Sequence, residues 1–461
     1  MTQDTLNILH LGLGSFHRAH QAMYLNRLIE AGETGWQLAG GNLRPDMADT
    51  IAALERQHGE YTLETVTPAG ERSYERIRSI RRIVPWDAEL AGLIALGAEP
   101  STRILSFTVT EAGYYLDERN ELDLRYADLA SDLAGTSRST IYGALAVILA
   151  ERRRRNAGPV TLLSCDNLRA NGERFRHGFL AFLRQRGESE LLHWVEANTT
   201  SPCSMVDRIT PRPTPDVAER VKAATGWDDG AAVMGERFTQ WVIEDRFCNG
   251  RPAWEEVGAE MVASVHPYEE AKIRILNASH SCIAWAGTLV GYRYIHEGAL
   301  DPEIRRMAHD YVTDDVIPCL TPSPLDLSAY RDTVLDRFSN PHIRDTNQRV
   351  AADGFAKIPG FIAPTIRERL ADGHGANSVA LLPALFFAFL ERWHRGELPF
   401  EYQDQGMDPD LAHGFFHAAD PLLAFCQDLT LWGPLAGDRQ LAHAIFGAYA
   451  RVQHFLGRSP A

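Results

Sequence analysis

The chain has 461 residues, of which 45% are hydrophobic and 23% charged, with 36 glycines and 24 prolines. These proportions are typical of a folded α/β protein and exclude a disordered or fibrous chain, and the length predicts two domains rather than one. Sixty-one acidic residues against 46 Lys and Arg give a formal net charge of −15. This charge repels phosphates and anionic lipids, so neither nucleic acid nor a membrane surface is an expected partner.

The cysteines and the apolar runs point to the reducing interior of a cell. The six cysteines are too far apart for a short-spaced metal or redox motif, and we expect reduced, mostly buried thiols. The N-terminal segment lacks the basic region, apolar stretch and cleavage site of a secretory signal. The longest apolar run, 380–390, contains Pro383 and is shorter than the roughly 20 residues that span a bilayer. These features predict a cytoplasmic protein.

The first predicted strand, residues 7–11, leads into a glycine turn and then a helical pattern. Gly12 and Gly14 would allow the backbone to approach a pyrophosphate at the N-terminus of the following helix. His17 occupies the place of the third glycine in the usual fingerprint, so the turn alone fits a simple strand-to-helix connection equally well. The flanking residues from Phe16 to His20 favour a cofactor site, and we predict that Gly12, Gly14 and Phe16 bind it.

A second predicted strand, residues 36–39, ends in Gly40, Gly41 and Asn42 at the spacing of a βαβ unit. An acidic residue near this strand end commonly binds the adenosine ribose and selects NAD over NADP. Asp46 is the nearest candidate, while Arg44 could contact either adenine or a 2′-phosphate. We therefore predict NAD as the cofactor, with Asp46 as a ligand.

Two further strands are predicted at 103–110 and 159–164, separated by a helix at 140–155. This alternation indicates an α/β fold with a Rossmann-like, doubly wound parallel sheet. The helix ends in four arginines, 152–155. Cations favourably oppose the macrodipole at this end, so they are predicted to form a solvated helix end and not a phosphate site.

Polar clusters follow these two strands, at the sheet edge where doubly wound folds bind ligands. Thr110 and Glu111 follow the first strand and are predicted to contact the cofactor. Asn167 follows the second, within Ser-Cys-Asp-Asn. Either cluster fits a loop that merely caps the sheet equally well. A third stretch, 206–211, is expected to place Asp207 in an apolar turn.

Long helical patterns such as 381–394 and 441–456 dominate after Pro267. We therefore predict a dinucleotide-binding domain over residues 1–267 and a mostly α-helical catalytic domain over residues 268–461. A helix should begin near Pro267, because proline suits the first helical position and Glu269 and Glu270 suit the first turn.

Lys272, Asn277 and His280 lie in the apolar stretch that follows. On an α-helix of about 100° per residue, Asn277 lies about 140° and His280 about 80° from Lys272, so all three can share one face. Burying an amine, an amide and an imidazole costs free energy unless a ligand or partner satisfies them. Each residue alone is more often structural, whereas the trio favours the wall of a catalytic pocket.

Tyr268 and Lys272 have the Tyr-x-x-x-Lys spacing of short-chain dehydrogenases. Those enzymes are about half this length and space their glycines differently. The pair is therefore interpreted as a coincidence.

The motifs GLGSFHRAH, TEAGYY, SCDN, VDRITP and K-x4-N-x2-H occur here in one order. Over nearly its whole length the chain resembles the polyol-specific long-chain dehydrogenases, the mannitol dehydrogenase family. The resemblance implies a monomer that oxidises a sugar alcohol to a ketose with NAD and without zinc. Three stretches are most similar to members that convert D-arabinitol to D-xylulose, with D-mannitol oxidation and hexuronate reduction as alternatives.

The resemblance also implies roles for single residues. Lys272 would be the general base, Asn167 and Asn277 would hold the reacting oxygen, and His280 would orient the polyol. A lysine acts as a base only when its amine is neutral, and burial favours that form. Such intact catalytic residues argue against a second class of function, a dinucleotide-binding sensor that has lost its chemistry.

Four more positions match the family's motifs. Glu269 and Asp207 match residues associated with proton movement. Arg349 and Lys357 match the basic pair that contacts the polyol. Because a polyol is uncharged, its affinity must come from hydrogen bonds to its hydroxyl groups.

Overall fold

The computed structural model describes residues 5–117 and 119–457, and these form two compact units. Unit 1 runs to Thr67 and continues over Glu71–His266. Unit 2 contains Pro68–Gly70 and the chain from Pro267 onward. Unit 1 carries all the strands named below.

The strands of unit 1 are β1 Leu6–Leu11, β2 Trp36–Gly41, β3 Tyr61–Val66, β4 Arg72–Ile77, β5 Ile80–Ile83, β6 Thr102–Phe107, β7 Val160–Ser164, β8 Thr199–Thr200, β9 Ser204–Asp207, β10 Val233–Glu236, β11 Gln240–Glu244 and β12 Glu260–Val262. Six of them form a sheet in the order β5-β2-β1-β6-β7-β8, and every neighbouring pair is parallel. Two three-stranded sheets, β10-β3-β4 and β12-β11-β9, accompany it.

Both faces of the six-stranded sheet are buried. Ile8 joins one apolar cluster, whereas Leu9 and Leu11 join the other, as the alternation of side chains along a strand requires. A parallel sheet covered on both faces is the arrangement expected when helices connect successive strands. The predicted doubly wound α/β fold is confirmed.

The helices of unit 1 are α1 Ser15–Ala19, α2 Gln21–Glu30, α3 Ala48–Arg56, α4 Ala91–Gly97, α5 Ala127–Leu133, α6 Ile141–Arg154, α7 Asn171–Gln185, α8 Ser189–Asn198 and α9 Pro215–Thr225, with 3₁₀ turns at Glu111–Tyr114 and Trp254–Val257. The start of α6 is fixed by the Thr140 hydroxyl, which accepts a hydrogen bond from the Gly143 N–H at 3.1 Å. Threonine is a favoured N-cap residue.

The prediction that the arginines at the end of α6 are all solvated is wrong for Arg152. Its side chain is fully buried. It donates hydrogen bonds at 2.8 to 3.0 Å to five carbonyl oxygens, those of Gly97, Glu99, Ala157, Gly158 and Pro159. The other three arginines form ion pairs with exposed or half-buried glutamates. Arg152 therefore joins the loops that precede β6 and β7.

The helices from His266 onward are α10 His266–Ala271, α11 Ala278–Leu289, α12 Ile295–Leu300, α13 Pro302–Tyr311, α14 Ile317–Leu320, α15 Leu327–Phe338, α16 Asn347–Ala351, α17 Gly354–Lys357, α18 Ala363–Ala371, α19 Leu381–His394, α20 Pro409–Phe415, α21 Pro421–Cys426, α22 Leu429–Trp432 and α23 Arg439–Leu456. Three π-helical segments, Lys272–Asn277, Val312–Val316 and Ile358–Ile362, lie between them, with a 3₁₀ turn at Gly433–Leu435.

The core of unit 2 is built around α19, which is buried continuously from Leu381 to Leu390 and packs against α11 and α23. Aspartate side chains accept hydrogen bonds at the N-termini of α13, α15, α20, α21, α22 and α23. Part of the acidic excess of the chain therefore stabilises helix starts.

Each of the six cysteines is a free thiol. Over residues 5–117 and 119–457, every helix is too short or too polar to cross a membrane.

Candidate active site

The turn after β1 uses its two glycines differently. Gly12 has a φ of 106°, and a Cβ there would lie 2.7 Å from the Thr108 carbonyl oxygen. Any other residue would thus be strained and would clash. Gly14 has a φ of −68°, and a Cβ at this position would have no atom within 4 Å. The backbone conformation at position 12 requires a glycine, whereas the glycine at position 14 leaves open space beside its Cα atom.

This open space is part of a cavity of about 560 Å³ at the carboxyl edge of β1, β2 and β6. Gly12, Gly14, Asp46 and Thr110 line it. A glycine turn, a neighbouring carboxylate and this volume fit a dinucleotide at the place where doubly wound sheets bind ligands. The wall also contains polar residues that the sequence analysis did not single out as cofactor ligands, which include Asn42, Tyr115, Tyr126 and Asp128.

Phe16 and Glu111 are absent from the described residues that line this cavity. The Phe16 ring stacks on His20, with the ring centroids 5.0 Å apart. Glu111 is exposed in the 3₁₀ turn after β6. His17, which replaces the third glycine, is buried and stacks on His10 of β1 at 3.5 Å.

Asn42 joins the glycine turn to the loop that carries Asp46. Its side-chain oxygen accepts a hydrogen bond from the Leu13 N–H at 2.9 Å, and its amide nitrogen donates to the Asp46 carbonyl oxygen at 3.3 Å. Asn42 is buried, so these bonds are shielded from water. The only sequence signal for this role was its place directly after β2.

The Arg44 side chain is hydrogen-bonded to other side chains of the protein. Its guanidinium donates to Asp128 at 2.6 Å and to the Tyr115 hydroxyl at 2.8 Å. The pair is half-exposed, so it contributes little to stability. It does place a second carboxylate, beside that of Asp46, on the cavity wall. Two carboxylates favour ribose hydroxyls over a 2′-phosphate.

Asp166 fixes the loop after β6 and was not singled out from the sequence. It accepts hydrogen bonds from the N–H groups of Val109 and Thr110 at 2.9 and 2.8 Å and from the Tyr114 hydroxyl at 3.1 Å. Burial raises the pKa of Asp166 to about 6, although these hydrogen bonds oppose the shift. The neighbouring Asn167 is exposed.

Asp207 was expected in an apolar turn, but it does not lie in one. It is the last residue of β9, is buried, and pairs with Gln240 of β11. The next residue, Arg208, is buried and donates to the carbonyl oxygens of Glu236 and Ala19. The strand ladder and this arginine hold Asp207 in a fixed position.

In unit 2, α10, the π segment Lys272–Asn277 and α11 follow one another without a break. The expected α-helical angles between Lys272, Asn277 and His280 are therefore wrong. A π-helix closes its hydrogen bonds between residues five apart. This spacing brings Lys272 and Asn277 nearer to one line along the helix than an α-helix would. Lys272 and Glu269 are buried, and Asn277 is partly buried.

Tyr311 of α13 contacts this π segment from the side. Its hydroxyl lies 3.1 and 3.2 Å from the carbonyl oxygens of Arg274 and Ile275, to which it can donate. It also lies 2.8 Å from the Ser279 hydroxyl. These contacts satisfy carbonyl groups in the stretch where the helical hydrogen-bond pattern changes.

His280 is linked to Arg349 through Asp345, which the sequence had not indicated. His280 Nε2 lies 3.3 Å from Asp345 Oδ2, and Arg349 Nε donates to Asp345 Oδ1 at 2.7 Å. The His280 ring stacks on Phe338 at 4.4 Å. Burial lowers the pKa of His280, although Asp345 opposes the shift, so the neutral imidazole is favoured near pH 7.

Asp345 and Arg349 shift each other's pKa values so that both side chains stay charged. Burial alone would raise the pKa of Asp345, but its contacts with His280 and Arg349 outweigh this effect and hold the pKa well below its usual range. The same hydrogen bonds to Asp345 raise the pKa of Arg349. Arg349 is nevertheless well exposed, so its remaining donors are accessible.

Lys357 ends α17, and its amine donates to the Val350 carbonyl oxygen at 2.5 Å. Burial lowers the pKa of Lys357 to about 8, an effect that Arg349 increases and that Asp353 opposes. The start of α17 is held by Asp404, which accepts from the Phe355 N–H at 2.9 Å. The charges of Arg349 and Lys357 thus influence the pKa of His280, and the charge of Arg349 influences that of Lys357.

Within residues 5–117 and 119–457, no group of three or more His, Cys, Asp or Glu side chains is arranged to hold a metal ion.

Two relatives match almost the whole chain. It is 64% identical over 448 residues to the D-arabinitol 4-dehydrogenase of Ralstonia nicotianae, covering 97% of this chain and 96% of the relative. It is 56% identical to the D-arabinitol 4-dehydrogenase of Klebsiella pneumoniae, covering 93% and 94%.

A solved structure, the ternary complex of Pseudomonas fluorescens mannitol 2-dehydrogenase with NAD and D-mannitol, superposes with a TM-score of 0.82 at 34% identity, over 99% of this chain and 95% of that one. Residues 6–256 match the family model for the mannitol dehydrogenase Rossmann domain. Residues 264–453 match the model for the mannitol dehydrogenase C-terminal domain. The chain belongs to the mannitol dehydrogenase family.

Proposed function

We propose that this chain is an NAD-dependent, zinc-independent polyol dehydrogenase that oxidises D-arabinitol to D-xylulose. The observation that carries the proposal is the 64% identity to a D-arabinitol 4-dehydrogenase over 97% of the chain. Two further features support the proposal. The buried Lys272 is a candidate base, and the cavity of unit 1 is large enough for a dinucleotide.

The residues of unit 1 would hold the cofactor. Gly12 and Gly14 allow a close approach of the backbone, and Asp46 and Thr110 present polar groups to the same cavity. Phe16 and Glu111 remain predicted contacts. Bound there, NAD would supply the acceptor for the hydride of the carbinol carbon. The carboxylates of Asp46 and Asp128 support NAD over NADP.

The residues of unit 2 would take the proton. Oxidation of a secondary alcohol releases one proton from its hydroxyl group, and we assign Lys272 as the general base that accepts it. Asn277, and Asn167 of unit 1, would donate hydrogen bonds to the alkoxide as its charge develops. Glu269 and Asp207, both buried, would pass the proton onward.

The remaining polar groups would hold the polyol. A neutral His280 whose Nε2–H faces Asp345 and whose ring stacks on Phe338 keeps Nδ1 free to accept a hydrogen bond from a polyol hydroxyl group. Arg349 and Lys357 supply donors. The proposed domain assignment is that residues 1–267 would bind the dinucleotide, and residues 268–461 would bind the polyol and carry the base.

The test is the change in nicotinamide absorbance during oxidation of D-arabinitol, D-mannitol, D-sorbitol, ribitol and xylitol, with NAD and with NADP. We expect the highest kcat/KM for D-arabinitol with NAD, unchanged by a metal chelator. The Lys272→Ala variant, purified in parallel, controls for contaminating dehydrogenases. A preference for D-mannitol would instead support the second candidate, a mannitol 2-dehydrogenase, which the superposed ternary complex favours.

Failure on every polyol would reject both candidates. Hexuronates would then be assayed as substrates. NAD binding without any turnover would indicate a dinucleotide-binding sensor.

We also propose that the enzyme is a cytoplasmic monomer. Sedimentation velocity of the NAD-bound protein and fractionation of cells that express it would test the two statements separately.

A further inference from the structure

The wall of the unit 1 cavity combines one cation with two anions. Among the described residues that line this cavity, Arg44 carries the only positive charge, and Asp46 and Asp128 carry the two negative charges. Arg44 follows β2, at the place where doubly wound enzymes contact the adenosine ribose. In enzymes that use NADP, an arginine there accommodates the 2′-phosphate. The chain therefore has a residue suited to this phosphate, on a wall whose net charge is negative.

The Arg44 guanidinium is partly occupied by contacts within unit 1. Its Nη2 atom donates to Asp128 Oδ2 at 2.6 Å and to the Tyr115 hydroxyl at 2.8 Å. Its Nε atom donates to the Ser139 carbonyl oxygen at 3.3 Å. Within the part of the chain that the structure describes, these are the hydrogen bonds of the guanidinium, so both N–H donors of Nη1 remain available to a ligand.

The carboxylate of Asp128 is fixed by two further hydrogen bonds. Its Oδ2 atom accepts from the Tyr115 hydroxyl at 2.6 Å, and its Oδ1 atom accepts from the Leu129 N–H at 3.0 Å. Burial alone would raise the pKa of Asp128, but these hydrogen bonds and the charge of Arg44 outweigh burial and lower the pKa. Asp128 is therefore ionised at neutral pH, and its charge cancels that of Arg44.

An ionised Asp128 opposes a 2′-phosphate in two ways. It occupies Nη2 of Arg44, and its negative charge repels a phosphate placed beside that arginine. The Arg44–Asp128 pair is half-exposed, and such a pair is easily broken. The repulsion is therefore the larger of the two effects. The ribose hydroxyl groups of NAD carry no charge and are not repelled.

We propose that Asp128 is a specificity-determining residue for the cofactor, which cancels the charge of Arg44 and thereby blocks a site for the 2′-phosphate of NADP. Asp46 lies in the loop after β2, where an acid that selects NAD is expected. Asp128 lies on α5, 84 residues after Arg44, and acts through that arginine. The inference rests on the proposed function, because it takes the unit 1 cavity to be the dinucleotide site.

Binding is tested by fluorescence titration of the full chain with NADH and with NADPH, which differ only in the 2′-phosphate. Asp128→Asn removes the charge but keeps the side-chain size and an acceptor for Tyr115. We expect its NADPH affinity to rise by about tenfold or more, because the released guanidinium forms charge-assisted hydrogen bonds to phosphate. NADH affinity should change far less, since Asp46 remains. An unaltered NADPH affinity overturns the proposal.

The matched control is Asp123→Asn. Asp123 pairs with Arg125 at 2.7 Å but is absent from the described lining of the cavity. This variant should bind both cofactors as the wild type does. An equal gain in NADPH affinity would show that any lost carboxylate of this region suffices, and would reject Asp128 as the determinant. Asp128→Ala, a second variant at the same position, should repeat the gain of Asp128→Asn with a melting temperature near that of the wild type.

A double variant assigns the gain to Arg44. Asp128→Asn combined with Arg44→Gln lacks both the carboxylate and the guanidinium, so the gain in NADPH affinity should be lost. Retention of the full gain would show that relief of repulsion alone explains it. That result would reject Arg44 as the phosphate ligand.

Salt dependence provides a readout that a merely structural role of Asp128 would not change. Arg44 is half-exposed, so added salt screens its attraction for a phosphate. In Asp128→Asn, NADPH affinity should therefore fall more steeply with ionic strength than NADH affinity does. Equal salt dependence of the two cofactors would contradict a phosphate contact at Arg44.

Turnover gives the last test. With D-arabinitol, the ratio of kcat/KM for NADP to that for NAD should rise by about tenfold or more in Asp128→Asn. If the wild type binds NADH but oxidises no polyol, the proposed reaction fails, while the titrations still decide this inference. If the wild type binds NADH and Asp128→Asn gains no NADPH affinity, this inference alone is rejected. Binding of neither dinucleotide by the wild type would reject both.

Discussion

The cavity of unit 1 and the polar helix of unit 2 are built on different kinds of backbone. Around the cavity, strand ladders fix the loops, and two buried side chains, Asn42 and Asp166, bond backbone groups of the glycine turn and of the loop after β6. In unit 2, Lys272 and Asn277 lie on a helix that changes from α to π and back. Tyr311 of another helix bonds the carbonyl groups of the changed segment.

This difference determines what a substitution should do in each region. At the sheet edge, the groups that shape the cavity also hold strands and loops together, so stability and cofactor affinity can change together. In unit 2, the proposed base stands on a continuous helix whose most extensive packing is that of α11 against α16 and α19. A substitution in this region should therefore be able to abolish turnover without unfolding the protein.

The largest expected effect is that of Lys272→Ala. Loss of the general base should lower kcat for D-arabinitol by about 10²–10⁴-fold, while NADH binding, measured by fluorescence titration, stays near that of the wild type. Lys222→Ala, at an exposed lysine of unit 1, is the control and should remain fully active. Substantial polyol oxidation by Lys272→Ala would contradict the proposed mechanism.

Arg152→Ala should destabilise the edge of the sheet opposite the cavity. It leaves five carbonyl groups, two of them buried and three partly buried, without this donor, and we expect the free energy of unfolding to fall by about 3 kcal/mol or more. Arg154→Ala, at the exposed end of the same helix, should change it by no more than about 0.5 kcal/mol.

Urea unfolding measures both arginine variants, and NAD affinity is measured on the folded protein. The affinity should be unaltered in both. Equal stability of the two variants would show that the bonds of Arg152 contribute nothing beyond those of a surface arginine.

The glycine turn offers a matched pair of substitutions. Gly12→Ala should lower both stability, by about 1–2 kcal/mol, and NAD affinity, because its Cβ meets the Thr108 carbonyl oxygen. Gly14→Ala should leave the melting temperature unchanged and weaken NAD binding by about tenfold, because its methyl group enters the cavity. Wild-type NAD affinity in Gly14→Ala would remove Gly14 from the cofactor site.

The smallest effect concerns Lys357 and pH. Because burial lowers the pKa of Lys357 to about 8, its ammonium is present below that pH and is lost above it. KM for D-arabinitol should therefore rise by about fivefold as the pH increases through 8, since a charged donor binds more strongly than a neutral amine.

Lys357→Arg stays protonated, and its KM should be nearly independent of pH over the same range. Reading KM apart from kcat separates this titration from that of the catalytic base. A pH-independent KM in the wild type would exclude Lys357 from polyol binding.

Several elements were predictable because their determinants are local. The buried runs at 7–11 and 159–164 indicated parallel strands, and Thr140 marked the start of α6. Gly12, Gly14, Asp46 and Thr110, singled out by the sequence, all line one cavity. Their positions follow from the rule that ligands meet the carboxyl ends of parallel strands.

Other features could not be read from neighbouring residues. Asp207 was expected in an apolar turn, but pairing with β11 makes it part of a strand. Asp345 carries no local signal, and only its position against His280 and Arg349 reveals its role. Phe16 and Glu111 lie in the expected motifs but outside the cavity lining.

The sequence by itself determined the fold class, the glycine turn, the family and the set of polar residues on the helix after Pro267. These depend on local periodicity, on capping groups and on residue order. Only the tertiary structure decided the π segment, the burial of Arg152 and the link from His280 to Arg349. Each of these depends on which distant donor or acceptor the fold places opposite a buried polar group, and the free energy of satisfying that group is absent from the local sequence.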